Sequence, residues 1–415
     1  MSGFFSGTEA VWRYLDSIPK FQDKGTVAAN FELQNITAFC NSMGNPQNKF
    51  PSIHVAGTNG KGTTCHLLEA VYLQAGYKTG LFTSPHLLRY NERFRISGEE
   101  VADDKILHFF QNYEEELRNS KLTYFEISTA LAFWLFAEEE VDLAIIETGL
   151  GGRLDSTNII TPEVSIITSV GLDHQQILGN SEAEIAKEKA GIIKQNIPVV
   201  VGNIFGDTEA IISEVAKSKQ AKFIKSSEFN PNWNDAVISF SDKDIVIQTQ
   251  LIEEVNKWNV AAVYHCINIL EDKFKVTESD FIHAVENFKG VTGRFEKLLP
   301  RRDWYFSGAH NKQALRSTLL TAEKLSKDKQ AVVIFSLMGD KMSSEVLSLL
   351  NEIENKYYFE LQSERAGSYK ELSEHIKAEL IEESTQKSIL KEFESSLVIF
   401  TGSFYFYSTV KRWVS

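Results

Sequence analysis

The chain has 415 residues, of which 43% are hydrophobic and 24% charged, which is typical of a soluble globular protein with about two domains. Lys and Arg total 43 against 56 Asp and Glu, and the net charge of −13 argues against a nucleic-acid-binding surface. No stretch approaches the ~18 apolar residues of a membrane span, and no secretory signal pattern begins the chain, so we expect a cytosolic protein without membrane partners. The scattered cysteines, Cys40, Cys65 and Cys266, indicate a reducing compartment and buried apolar side chains.

Short apolar runs alternate with longer amphipathic segments in the first half of the chain. We predict strands at SIHVAG (52–57), KTGLFTS (78–84), DLAIIET (142–148), VSIITSV (164–170) and IPVVVG (197–202). Helix-length segments between them include KGTTCHLLEAVYLQAG, EISTALAFWLFAEEE and SEAEIAKEKAGIIK. Nearly continuous apolar strands separated by helices predict a parallel sheet that is covered on both faces.

The pattern changes after about residue 225. Two short strands, AVISF and DIVIQTQ, precede the helical segments EEVNKWNVAAVYHCINIL and ESDFIHAVENF. The Gly- and Pro-containing stretch KGVTGRFEKLLPRRDW predicts a domain junction near residues 290–303. Beyond it, WYFSGAH, AVVIFSLMG, KYYFELQ and SLVIFTG alternate with helical segments, which predicts a second, smaller α/β domain.

Ligands of open α/β sheets bind beyond the carboxyl ends of the strands. The stretch VAGTNGKGTTC (55–65) runs from a predicted strand through glycines into a predicted helix. Its spacing differs from the usual G-x-x-x-x-G-K loop, because Gly62 separates Lys61 from Thr63. Backbone N–H groups, a helix N-terminus, Lys61 and the hydroxyls of Thr63 and Thr64 favour phosphate binding over a structural turn.

Two further strand ends hold candidate metal ligands. Glu147 ends an apolar strand before the loop GLGGRLDSTN and is either a Mg²⁺ ligand or a solvent-facing strand end. Arg153 and Asp155 project from that loop toward a substrate pocket. In SVGLDHQQILG, charge preference selects Asp173 as a metal ligand and leaves His174 as a hydrogen-bond donor.

The segment SEAEIAKEKAGIIK predicts a helix capped by Ser181. Lys189 falls on one face with Ile185, Ile192 and Ile193. Its amine either reaches water past an apolar stripe or is buried, with a lowered pKa and the ability to react.

Arg89, Arg93 and Arg95 lie in the segment TSPHLLRYNERFRISGE. They form either a solvated basic loop or an approach for an anionic substrate.

Together these motifs resemble the folylpolyglutamate synthase and dihydrofolate synthase family, within the Mur-type ATP-dependent amide ligases. The matching stretches are GTNGKGTT, TSPHL with ERFRI, TYFEISTALAFWLF, ETGLGGRLDSTNI, GLDHQQILG, EIAKEKAGIIK, GRF, GAHN and TGSFYF. The resemblance implies an α/β fold with an N-terminal P-loop-type ATP-binding domain (1–296), whose central sheet is mostly parallel. It also implies a smaller C-terminal α/β domain (297–415) that closes an inter-domain active site.

The implied enzyme is an ADP-forming ligase. ATP phosphorylates the carboxylate of dihydropteroate or of a reduced folate, and L-glutamate displaces phosphate from the acyl phosphate to form an amide. The implied cofactors are ATP and two Mg²⁺ ions. The expected partners are these small molecules alone, and we expect a monomer.

The resemblance also assigns roles to individual residues. The implied catalytic residues are Lys61, Glu147, His174 and Lys189. The implied metal ligands are Ser84, Glu147, His174 and Lys189; Lys189 is carbamylated in relatives, and His174 replaces the Asp173 chosen on charge. The implied nucleotide contacts are Gly57, Thr58, Asn59, Gly60, Lys61, Gly62, Thr63, Asn259, Arg294, Ser307 and His310. The implied pterin contacts are Thr123, Tyr124, Phe125, Glu126, Arg153, Leu154 and Asp155.

The chain departs from the family pattern at two places. Ser307 stands where the family usually has Asp, which predicts ATP binding that is weaker by roughly 1–2 kcal/mol if nothing compensates. In the stretch EEVNKWN, which ends at the preserved Asn259, the residues before this asparagine differ from the family's common glycine, aromatic or His, and Gln, so the surroundings of the adenine are expected to differ. Two alternatives therefore stay open: a Mur-type ligase with another carboxylate acceptor, and a nucleotide-binding paralogue without catalysis.

Overall fold

The structure is a computed structural model that describes residues 3–19, 32–326, 329 and 331–415. The chain forms two compact units. The first consists of described residues up to Trp233 together with Val237–Thr249 and Lys257–Phe288. The second consists of Asn234–Ala236, Gln250–Asn256 and Lys289–Ser415, again with reference to described residues. Among the helices described, none is both long and apolar enough to cross a membrane.

The first unit is built on an eight-stranded sheet. Its strands are β1 (Ser52–Ala56), β2 (Thr79–Phe82), β3 (Phe94–Ile96), β4 (Glu99–Glu100), β5 (Leu143–Glu147), β6 (Val164–Ser169), β7 (Val199–Asn203) and β8 (Phe223–Lys225). They lie in the order β4-β3-β2-β5-β1-β6-β7-β8. The pairs from β2 to β8 are parallel, whereas β3 and β4 form an antiparallel edge. The central strands are completely buried, as their apolar sequences require.

Helices surround this sheet. Those of the first unit are α1 (Thr8–Ser17), α2 (Gln34–Ser42), α3 (Lys61–Gln74), α4 (Asp103–Asn112), α5 (Glu114–Asn119), α6 (Tyr124–Glu138), α7 (Gln175–Leu178), α8 (Glu182–Ala190), α9 (Gly206–Ser218), α10 (Asn256–Ile269) and α11 (Glu278–Asn287). Helix α6 is apolar on nearly all sides and is buried over most of its length. It packs in an aromatic-rich core with helices α1, α2 and α4.

A small antiparallel sheet completes the described part of the first unit. Its strands are β9 (Pro231–Asn234), β10 (Val237–Phe240) and β11 (Ile245–Gln248), with β10 between the other two. Buried and exposed side chains alternate along β11, as expected for a sheet with one covered face.

The second unit has its own six-stranded sheet. Its strands are β12 (Glu296–Lys297), β13 (Trp304–Phe306), β14 (Ala331–Phe335), β15 (Lys356–Tyr358), β16 (Glu379–Leu380) and β17 (Leu397–Thr401). The order is β12-β13-β17-β14-β15-β16, and β12 pairs antiparallel at the edge. Its helices are α12 (Lys312–Ser326), α13 (Ser344–Asn351), α14 (Tyr369–Ser373), α15 (Gln386–Glu392) and α16 (Tyr407–Val414).

The predicted α/β class with a mostly parallel sheet and a smaller α/β unit is confirmed. All three cysteines are buried and free, also as predicted. The helix predicted over 181–194 ends earlier, at Ala190. Gly191 approaches Arg153 so closely that a Cβ would lie 2.4 Å from its Cα, and the chain turns there. The segment TSPHLLRYNERFRISGE, for which a solvated basic loop was one of two alternatives, contains strand β3 and forms part of the sheet edge.

Candidate active site

The phosphate-type loop leaves β1 and enters α3 at Lys61, and the end of β6 braces it. The Thr58 N–H donates to the Ser169 carbonyl at 2.9 Å, and the Asn59 N–H donates to the Ser169 hydroxyl at 2.9 Å. The hydroxyls of Thr168 and Ser169 both donate to the Asn59 carbonyl, at 2.6 and 2.9 Å. The end of the neighbouring strand β6 therefore fixes the loop backbone.

Two loop positions require glycine for identifiable reasons. A Cβ on Gly57 would lie 1.9 Å from the Thr168 hydroxyl. Gly60 has a φ of +87°, and a Cβ there would lie 2.6 Å from the Asn259 side-chain oxygen. Asn259 of α10 is thus placed against the loop, and its side-chain oxygen also lies 3.4 Å from the Thr64 hydroxyl.

A hydrogen bond to the loop backbone holds the Lys61 side chain over the loop. Its amine donates to the Gly57 carbonyl at 3.0 Å. Helix α3 begins at this residue without a side-chain cap, so the N–H groups of its first turn point toward the loop. A lysine and a helix N-terminus at one turn suit a bound phosphate.

Glu147 and Ser84 meet at the carboxyl ends of the adjacent strands β5 and β2. Glu147 is buried at the end of β5, and its carboxylate accepts the Ser84 N–H at 3.0 Å. Burial raises the pKa of the Cys65 thiol, and the charge of Glu147 raises it further, whereas Lys61 lowers it. The strand-end carboxylate therefore lies near Cys65 of α3.

Lys189 is buried, with 2% of its surface exposed. Burial, and secondly the charge of Lys61, lowers its pKa to about 7, while Asp173 and Asp155 act in the opposite direction. Of the two alternatives for Lys189, the structure favours the buried amine over the one that reaches water.

His174 and Asp173 lie between β6 and α7, directly before Gln175. Asp173 accepts the His174 backbone N–H at 2.9 Å, and its carboxylate lies 3.8 Å from His174 Nε2. His174 has a φ of +48° and is half-buried. The two side chains thus lie close to each other. Which of them is the metal ligand stays a prediction.

The glycine loop after Glu147 is organised around Asp155. The buried carboxylate accepts the Leu150 N–H at 2.7 Å and the Thr157 hydroxyl at 2.5 Å. Because Thr157 donates its proton to Asp155, it accepts from His54 Nε2, 2.8 Å away. Burial, and secondly the charge of Lys194, lowers the pKa of His54 to about 3, so this imidazole is neutral.

The same loop is tied to α8, which carries Lys189. The exposed Arg153 guanidinium contacts the Glu188 carboxylate at 2.9 Å, and the Arg153 N–H donates to the Glu188 carbonyl at 2.8 Å. Gly152 packs against the same carbonyl, where a Cβ would lie at 2.8 Å. Leu154 is half-buried between Arg153 and Asp155.

The segment from Thr123 to Glu126 starts α6. Thr123 and Glu126 form a reciprocal capping box, in which Glu126 accepts the Thr123 N–H at 2.7 Å. The half-buried Phe125 ring lies so close to Gly149 that a Cβ there would be 2.4 Å from Cζ. Phe125 is therefore the side chain that connects α6 to the glycine loop.

The three arginines of the basic segment have different partners. Arg93 is buried, donates to His86 Nδ1 at 2.8 Å and lies 5.5 Å from the centre of the Tyr124 ring. Arg95 pairs with the buried Glu69 at 3.1 Å. Arg89 is exposed and pairs with Glu100 at 2.5 Å. Arg93 is thus the member that contacts a predicted pterin-binding residue.

The second unit brings Arg294, Ser307 and His310 to one end of its sheet. The Arg294 guanidinium lies 4.3 Å from the centre of the Phe404 ring, and His310 lies 5.9 Å from the same ring. The Ser307 hydroxyl lies 2.8 Å from that of Thr318. Glu253, which the sequence analysis did not select, lies beside this cluster.

Several residues that support the site were not predicted from the sequence. Thr168 and Ser169 end strand β6, and only Val170 separates them from the selected motif GLDH, so their position at a strand end was a usable signal. His54, Glu188 and Glu253 gave no such signal, because their partners lie 35 to 103 residues away in the sequence.

The oxygen donors of Glu147 and Ser84 suit a hard cation such as Mg²⁺. Within the described residues, no group of three or more His, Cys, Asp or Glu side chains could hold a metal ion alone. Mg²⁺ commonly takes only one or two carboxylates and completes its shell with phosphate oxygens and water. The donor set therefore fits a metal held jointly with a nucleotide.

Comparisons with known proteins show which family the chain resembles. The Mur ligase middle domain family matches residues 55–271. The chain is 32% identical over 396 residues to the dihydrofolate synthase/folylpolyglutamate synthase of Bacillus subtilis, covering 89% of this chain and 92% of that protein. It is 33% identical over 324 residues to the Escherichia coli protein of the same name, covering 78% and 76%.

Solved structures extend the similarity to nearly the whole chain. Escherichia coli FolC in complex with DHPP and ADP superposes with a TM-score of 0.86 at 27% identity, covering 99% of this chain and 98% of that chain. The phosphate-type loop, the glycine loop and α8 all lie within the matched middle-domain region. The chain therefore belongs to the dihydrofolate synthase/folylpolyglutamate synthase family of Mur-type ligases.

Proposed function

We propose that the protein is an ATP-dependent ligase that adds L-glutamate to dihydropteroate, to reduced folates, or to both. The observation that carries this proposal is the placement of two loops at one edge of the first sheet. The braced phosphate-type loop follows β1, and the glycine loop beneath Phe125 follows its neighbour β5. A relative with DHPP and ADP bound supports the same pair of ligands here.

The reaction proceeds in two steps. An oxygen of the acceptor carboxylate attacks the γ-phosphorus of ATP, the bond to the β,γ-bridging oxygen breaks, and ADP leaves. The glutamate amine then attacks the acyl carbon of the acyl phosphate, loses a proton and expels phosphate. No protein nucleophile is required, because positioning and charge neutralisation provide most of the catalysis in phosphoryl transfer.

The side chains of the first unit have separable roles. The N–H groups that begin α3 and the Lys61 amine bind the phosphates and offset their charge. Ser84, Glu147 and His174 would hold Mg²⁺. The ion, when bound, neutralises charge on the nucleotide phosphates.

Lys189 is proposed to be carbamylated. Its pKa of about 7 leaves a large neutral fraction near neutral pH, and only a neutral amine attacks CO₂. A bond then forms between Nζ and the carbon of CO₂, Nζ loses a proton, and a carboxylate results. That carboxylate would be a ligand for a second Mg²⁺ ion.

Further assignments rest on the family resemblance. We propose nucleotide contacts for Asn259, Arg294, Ser307 and His310, and a domain boundary after residue 296. We propose pterin contacts for the segments that contain Phe125 and Arg153. A cytosolic monomer remains part of the proposal.

Acceptor-dependent ADP release tests the proposed reaction. Purified protein is given ATP, Mg²⁺ and L-glutamate with dihydropteroate, with tetrahydrofolate, or with a carboxylate precursor of the cell wall. We expect ADP release only with a pterin acceptor, together with a product heavier by one glutamyl residue in mass spectrometry. Release with the cell-wall precursor alone would reassign the substrate, and ATP binding without turnover on any acceptor would favour the non-catalytic paralogue.

A further inference from the structure

Glu253 is a carboxylate in the second unit that no motif assigns. It lies in the stretch Gln250–Asn256 and is half-buried. One carboxylate oxygen lies 3.5 Å from the Ser317 hydroxyl and 3.5 Å from the Thr318 hydroxyl. Both hydroxyls belong to α12, so a single helix turn presents two donors to this acid.

The number of protons available determines which group donates and which accepts in these contacts. A carboxylate can only accept, so Thr318, if it donates to Glu253, has no proton left for Ser307. The Ser307 hydroxyl, 2.8 Å away, then donates to Thr318. Its lone pairs are left for another partner, and Ser307 acts as an acceptor. Glu253 thus determines, through the Thr318 hydroxyl, that the Ser307 oxygen is available to accept a hydrogen bond.

The electrostatics involve the same cluster. Burial raises the pKa of Glu253 to about 7, while the Arg294 charge and the two hydroxyls lower it. Arg294 in turn lies over the Phe404 ring, which packs against Gly308 directly after Ser307. Glu253 is therefore close to Arg294 and Ser307, two of the three residues of this unit that the proposed function assigns to the nucleotide.

We propose that Glu253 is a positioning residue for nucleotide binding, which holds Arg294 by charge and orients the Ser307 hydroxyl through Thr318. The inference rests on the proposed use of ATP. It explains how a serine at position 307 provides an acceptor without its own carboxylate. The neighbouring Glu254 does not share this role, since it is exposed and pairs with Lys324 at 3.0 Å.

Nucleotide affinity measured by calorimetry with Mg²⁺ and a non-hydrolysable ATP analogue tests this role. Glu253→Gln keeps the shape and removes the charge, and we expect its Kd to rise about five- to thirty-fold, the difference between charged and neutral hydrogen bonds. Glu254→Gln is the matched control and should bind like the unchanged protein. Thr318→Val interrupts the hydroxyl chain and should weaken binding even if Glu253→Gln does not fold.

Moving the carboxylate from position 253 to position 307 tests whether Glu253 positions the nucleotide-binding residues or only stabilises the fold. In the double variant Glu253→Gln/Ser307→Asp the acid stands at position 307, and we expect much of the lost affinity to return. Ser307→Asp alone places two acids together and should not improve binding. In turnover assays, Glu253→Gln should raise the KM for ATP more than it lowers kcat.

Affinity of Glu253→Gln equal to that of Glu254→Gln, or no recovery in the double variant, would overturn the inference. The binding assay needs no acceptor, so it remains decisive if the folate assignment fails. Absence of nucleotide binding by the unchanged protein would instead refute the proposed function and this inference together.

Discussion

Replacement of Gly149 by Ala tests whether the contact between the glycine loop and α6 forms part of the pterin site. The added Cβ would lie 2.4 Å from Phe125 Cζ and 2.7 Å from Cε1. Carbon atoms pack at about 3.5–4.0 Å, so the ring would have to move by roughly 1 Å. The φ of Gly149 lies outside the left-handed region, so the ring contact is the main source of strain.

The expected effects differ for the two ligands. Overpacking of this kind lowers the free energy of unfolding by about 1–3 kcal/mol. Misplacement by about 1 Å can reduce a rate as much as 10²-fold, so we expect kcat/KM for the pterin acceptor to fall roughly 10- to 100-fold. ATP affinity should be unchanged, because the phosphate-type loop is braced by β6 rather than by α6. Urea unfolding, initial rates and calorimetry measure the three quantities.

Two further variants make the experiment specific. Gly7→Ala is the matched control, since a Cβ there meets no atom within 4 Å. Phe125→Leu lacks the ring atoms that clash, so adding Gly149→Ala to it should cost far less than in the unchanged protein. Normal acceptor kinetics for Gly149→Ala, or an equal loss of ATP affinity, would refute the reasoning.

Three further predictions concern charged or titratable groups. Lys61→Met should reduce kcat/KM by about 10²–10³-fold without lowering stability, measured by ADP release and thermal unfolding. Lys189→Ala should reduce activity by about 10- to 100-fold and abolish its dependence on CO₂ concentration; full activity would exclude the carbamate role. His54 has its pKa lowered from 6.5 to about 3 by burial, so the unfolded chain binds more protons between these values. The free energy of unfolding should therefore fall as pH drops through this window, by at most about 1.4 kcal/mol per pH unit, and His54→Gln should lack this component in urea titrations.

The sheet of the first unit was predictable because its strands are buried on both faces. Burial on both sides leaves a run of apolar residues that stands out from the flanking segments, as in LAIIE of β5. Functional residues could then be predicted at the carboxyl ends of the strands, because Glu147 is the last residue of β5 and Lys61 follows β1 after the loop Gly57–Gly60. Strand β3 was missed because it is short and contains Arg95 at the sheet edge, where pairing is antiparallel.

The contacts that organise the site were not predictable, because they join residues that are distant in sequence. Ser169 accepts the N–H of Asn59 across 110 residues, and His54 reaches Thr157 across 103. Sequence periodicity describes which face of an element is buried, but not which side chain of another element it meets. Glu253 and Glu254 are adjacent glutamates that the sequence does not distinguish. Only the fold places Glu253 beside Thr318 and leaves Glu254 at the surface.

The predicted pterin-binding segments combine two kinds of residue. Thr123 and Glu126 satisfy each other in the capping box, and Asp155 holds the backbone of its own loop. A substrate group that replaced any of these bonds would release the helix start or the loop, at a cost comparable to a lost buried hydrogen bond, about 1–3 kcal/mol. We therefore expect these three residues to fix geometry, while Phe125 and Arg153, which are only partly covered, contact the ligand. Conservative substitutions of the first group should lower stability and acceptor affinity together. Substitutions of Arg153, whose ion pair with Glu188 is exposed, should change affinity with little effect on stability.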